Sequence, residues 1–76
     1  MILHIGDSIK MKLSDTQGIE VPCQILAIVK DPDNDSDESD MIVFRYWGNH
    51  KKRWIWQVQP YWVLAMYNKW LDESHE

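Results

Sequence analysis

The sequence predicts a mainly β fold: a small, strongly bent barrel of four to five antiparallel strands with a C-terminal helix. Three observations lead there. Alternating or β-branched runs recur at residues 9–13, 19–29, 41–47 and 54–58, each bounded by turn-forming residues. The last stretch, Tyr61 to Leu71 after Pro60, has no Gly or further Pro and carries an apolar stripe at helical spacing. A chain of 76 residues has room for one domain, 1–76. At that size folding buries roughly 60% of the unfolded surface, too little for a deep cleft between lobes or a dinucleotide fold.

The elements follow in order. Gly6-Asp7 reads as a turn leading into Ile9-Lys10-Met11-Lys12-Leu13, which alternates apolar residue and lysine as a half-buried strand does. Residues 14–18 are turn formers, with Gly18 suited to positive φ. Ile19, Val21, Cys23, Ile25, Ala27 and Val29 then share one face of a longer strand, and Leu26 and Ile28 the other. Pro22 donates no hydrogen bond, so this strand is an edge or begins after it. Residues 31–40 form a hydrophilic loop with six acids and nothing suited to a core, expected to be mobile and solvated. Residues 41–58 read as a hairpin around a polar turn, with Trp54, Trp56 and Val58 on one face and Ile55 and Gln57 on the other. Pro60 suits the first position of a helix over 60–71, with a stripe of Val63, Leu64, Tyr67, Trp70 and Leu71. The rival is a fifth strand over 63–67. Residues 72–76 are expected to fray.

The charge is unevenly spread. The chain is net −4, yet residues 1–40 carry three lysines against nine acids, while 41–71 contain no Asp or Glu. All nine aromatic residues, five of them Trp, fall within residues 44–70. A core this small has limited room for five indoles, so some rings reach the surface, where aromatic side chains bind partners. A single cysteine, Cys23, excludes an internal disulfide and a multi-cysteine zinc site, and argues for a reducing, cytoplasmic setting. The first ten residues do not read as a signal peptide, and no apolar run is long enough to span a membrane.

Three runs carry a family resemblance. Ile5-Gly6-Asp7-Ser8-Ile9-Lys10-Met11 looks like a Gly-Asp entry to a first strand. Val21-Pro22-Cys23-Gln24-Ile25-Leu26-Ala27-Ile28-Val29 looks like a second. Val43-Phe44-Arg45-Tyr46-Trp47-Gly48-Asn49 is similar to a third strand ending in Phe-x-x-Tyr-Gly-Asn, with Trp47 inserted. Together they resemble the Tudor-like branch of the SH3-like barrels, over about residues 5–62. The resemblance implies a binding module without catalysis, which in that family often holds a methylated Lys or Arg in an aromatic cage. Of the positions such a cage draws on, Tyr46 and Trp47 carry rings and residues 14–18 carry none. In size and style the chain is also similar to the small accessory proteins of bacteriophages that bind and block host proteins.

The candidate functional residues form three groups. Arg45, Tyr46, Trp47, Trp54 and Trp56 are the expected protein-binding surface, with charged loops steering encounter. Lys51, Lys52 and Arg53, in a turn flanked by Trp47 and Trp54, have the ingredients of single-stranded nucleic-acid binding, the alternative function. Asp33, Asp35, Asp37, Glu38 and Asp40 form the acidic loop. Its Asp-x-Asp-x-Asp opening matches a calcium loop, but the sixth position is Glu38 and the twelfth Phe44, so it is no EF-hand. Its carboxylates either solvate the surface, pair with the basic turn, or mimic phosphates toward a partner's basic site. No catalytic constellation, metal site or cofactor site emerges from His4, His50, His75 and Cys23. A protein partner is expected first. A homodimer through the C-terminal helix, or a structural subunit, is the third reading.

Overall fold

The alternation of the first strand is realised as written. In the computed structural model, which describes residues 3–73, β1 (Ser8–Lys12) buries Met11 and exposes Lys10 and Lys12. A 3-10 turn over Ser14–Thr16 follows, then Gln17 and Gly18 at positive φ, 54° and 84°. These two reverse the chain into β2 (Glu20–Val29). β3 (Met41–Gly48) and β4 (Arg53–Pro60) form the expected hairpin. Each strand pairs antiparallel with the one before it, in the order β1-β2-β3-β4.

Among the described residues there are four strands, and β1 does not pair with β4, so the sheet is open. The gap is bridged by side chains: Asp15, on the 3-10 turn, accepts hydrogen bonds from Gln57 of β4 and from the Tyr46 hydroxyl of β3. The segment proposed as a fifth strand is α1 (Tyr61–Tyr67). Pro60 precedes the helix as its N-cap rather than opening it. The helix also stops earlier than 71. It breaks at Asn68 and resumes as α2 (Trp70–Glu73), because the Asn68 amide turns to bond Lys12 and Leu64 backbone groups. The buried positions are accordingly Tyr61, Leu64, Ala65, Asn68 and Leu71, while Tyr67 of the expected stripe is exposed. Of the residues 72–76 expected to fray, 72 and 73 lie in α2, and 74–76 lie outside the described residues.

The helices cover one face of the sheet. There Met11, Cys23, Ile25, Ile42, Phe44 and Tyr46 pack beneath Tyr61, Leu64 and Leu71. Pro22 fits because β2 is locally an edge there: it faces Lys10 of β1, and pairing with β3 begins only at Cys23. Beyond that point the expected face of β2 is wrong. A bulge between Ile25 and Ala27 adds a residue and reverses the alternation. Ala27 and Val29 thus oppose Val43 and Met41 on the uncovered face, and Ile28 opposes Ile42 on the core side.

The loop over 31–40 is less detached than its composition implies. Asp31, Asn34 and Ser36 side chains accept bonds from backbone N–H groups two residues on, and a 3-10 turn spans Asp37–Ser39. Asp40 is only 1% exposed. Its carboxylate meets Lys30 Nζ at 3.0 Å, and its carbonyl accepts the first N–H of α1, from Tyr61, at 2.9 Å. Asp40 therefore leaves the solvated set and anchors the loop to the helix. This loop and the basic turn sit at opposite ends of β3, about 24 Å apart at 3.4 Å per residue, so they do not pair within one molecule.

Candidate functional site

Every second residue of β3 and β4 points away from the helices, and these positions carry three exposed indole rings. The register sets Trp47 opposite Trp54, Arg45 opposite Trp56 and Val43 opposite Val58. Gln24 of β2 lies opposite Arg45 on its other side. Directly opposed residues on one face are close enough to interact. Trp47 and Trp54 meet edge to face, with ring centres 5.6 Å apart and planes at 81°. The Arg45 guanidinium lies 4.0 Å from the Trp54 ring centre and 5.8 Å from that of Trp56. Arg45 Nε donates to Gln24 Oε1 at 2.7 Å, which fixes the guanidinium between the rings. The rings still face solvent: Trp47 is 47% exposed, Trp54 43% and Trp56 62%.

Four of the five expected contact residues thus come together. Tyr46 does not. The strand alternation turns it inward, where it is 5% exposed with its hydroxyl on Asp15. Burial, then the Asp15 charge, hold its pKa above the usual tyrosine value. Gln24 takes part without having been expected. Only the β2–β3 register reveals it, since nothing in its neighbourhood marks it.

The electrostatics of this end are one-sided. Lys51, Lys52 and Arg53 cluster at the hairpin turn next to Trp54. Among the described residues neither they nor Arg45 form an ion pair. A half-open groove of about 540 Å³ lies at the same end, with Asp15, Tyr46, Trp47, His50, Lys51 and Ile55 among its walls. Asp33, Asp35 and Glu38 are exposed at the opposite end, whereas Asp37 pairs with Lys30 at 3.2 Å.

Burial pushes the Cys23 thiol up to about 11, so it stays protonated and unreactive near neutrality. Among the described residues no three His, Cys, Asp or Glu side chains are grouped to hold a metal ion. No described helix is long and apolar enough to cross a membrane. Compared with known proteins, the chain matches no family model, no curated protein and no solved structure.

Proposed function

We propose that this chain is a small protein-binding module and that the uncovered face of its sheet is the contact surface. One observation carries the reading: Trp47, Trp54, Trp56 and Arg45 lie on one face, ordered against each other, yet stay open to solvent. Tryptophan and arginine dominate the energetics of protein interfaces. Side chains already held in place lose little entropy on binding. The unpaired cations around the patch favour an acidic partner and speed its approach. The likeness to SH3/Tudor-like barrels belongs to the same proposal, as does the likeness to phage proteins, which extends it to blocking a bound host protein.

The nucleic-acid alternative draws less support. Arg45 already covers a face of Trp54, where a base would stack, and a chain of net −4 repels polyanions at long range. Dimerisation through α1 keeps one observation, the exposed Trp62 and Met66. Capture from cell extract, with and without nuclease, separates these readings. The expected result is a discrete protein that survives nuclease and is lost with Trp56→Ala, a variant that melts like the parent. Recovery of the same protein by Trp56→Ala, or loss of all bound material on nuclease treatment, overturns the proposal.

A further inference from the structure

The two outermost strands of the sheet differ in how their free edges are covered. At β1 the side-chain amide of Asn68 accepts from the Lys12 N–H at 2.6 Å and donates to the Lys12 carbonyl at 2.9 Å. The Asn68 amide, at the break between α1 and α2, stands in for a neighbouring strand at that one residue. β4 has no such cover. It pairs with β3 alone, and among the described residues nothing else bonds the backbone of residues 54–59.

Half the N–H and C=O groups of an edge strand point away from its neighbour and are open to another chain. Proteins usually guard such edges with lysine, proline or a bulge. Residues 54–59 read Trp-Ile-Trp-Gln-Val-Gln, and their pairing with β3 runs without a register shift. None of those guards is present within them.

Resting on the reading of the uncovered face as a protein contact, we propose that β4 receives an extended, acidic segment of a partner protein as a fifth strand. Main-chain bonds to the free edge would hold the segment, and its alternate side chains would pack beside Trp54, Trp56 and Val58. Charge decides the chemistry of the segment. Arg45, Lys51, Lys52 and Arg53 crowd the Trp54 end of the strand without carboxylate partners. Apolar residues therefore alternate along the bound segment, and Asp or Glu lie at the end that meets Arg53. A second copy is the competing occupant, since antiparallel pairing of two β4 strands would bring the acidic 31–40 loop of one toward the cations of the other.

The test selects ten-residue peptides from a fully randomised library on the immobilised protein. The strongest binder is then remade with a methyl group on one backbone nitrogen at a time. The expected consensus is acidic at one end, alternately apolar and free of proline. Methylation at every second position should weaken binding about tenfold, the worth of one main-chain hydrogen bond, and leave the intervening positions unaffected. The bound peptide should also slow hydrogen exchange at the β4 amides. Tolerance of methylation everywhere, with binding still lost in Trp56→Ala, removes the fifth strand and keeps the contact face. Insensitivity to both changes removes the two together. A basic or proline-rich consensus, no enrichment, or dimerisation of the free chain through β4 also overturns the proposal.

Discussion

One strand serves both faces of the sheet, and the two faces do opposite things. On β3, Ile42, Phe44 and Tyr46 point under the helices and are buried, whereas Val43, Arg45 and Trp47 alternate with them toward solvent. The covered face packs aliphatic and sulfur-bearing side chains around Phe44 and Tyr46. The uncovered face holds three of the five tryptophans. Burial of the largest apolar side chains is therefore not what folds this small domain. Its core closes on aliphatic residues with Phe44, Tyr46 and Tyr61, Trp70 packs against its margin, and three indoles lie on the other face. Separation by strand alternation means that a substitution can damage one role and spare the other.

The largest expected effect is on the covered face. Phe44→Ala leaves a cavity at the centre of the core and should cost about 3–5 kcal/mol, enough to unfold much of a domain this size, as urea denaturation would reveal. Next comes the covered edge. Asn68→Ala removes three side-chain hydrogen bonds and strands the Lys12 backbone at the sheet edge. A loss of about 2–3 kcal/mol in urea melts is expected. On the uncovered face Trp54→Ala should cost only about 1 kcal/mol, the worth of its contacts with Trp47 and Arg45. An equal cost for Phe44→Ala and Trp54→Ala would break the comparison.

A smaller effect comes from pH. Burial raises the Cys23 thiol from 9.0 to about 11. Burial and the Asp15 charge raise Tyr46, and the hydrogen bonds Lys30 donates to Asp40 and Asp37 raise Lys30. All three groups hold their protons more tightly in the fold than in the unfolded chain. The stability they contribute is thus complete below about pH 9 and falls as pH climbs through the folded values. Thermal melts from pH 8 upward should show Tm declining above pH 9, and Cys23→Ala should flatten the part between 9 and 11.

Much of this division was legible before the structure. The hairpin over 41–58 and the split of Trp54, Trp56 and Val58 from Ile55 and Gln57 follow from alternation alone, because a regular strand has a strict period of two. Alternation also assigns Tyr46 to the face opposite Arg45 and Trp47, and grouping it with them ignored that period. The bulge at Leu26 was not legible: a single extra residue leaves no compositional mark, yet it inverts every later face assignment within β2. Asn68 and Asp40 were hidden for a different reason. Asn68 acts on a backbone 56 residues away, and Asp40 is a polar loop residue until Lys30 and the start of α1 close over it. Contacts of that range follow from the finished packing, not from any local pattern.

On the proposed function, the uncovered face binds and does not fold. Trp56→Ala tests it most directly, since that ring is the most exposed of the three on the face. Its urea midpoint and its capture of the partner should be measured side by side with the parent's. The expected result is a stability change within about 0.5 kcal/mol, as for other surface substitutions, together with loss of the captured protein. A variant that unfolds, or one that keeps both its stability and its partner, would contradict it.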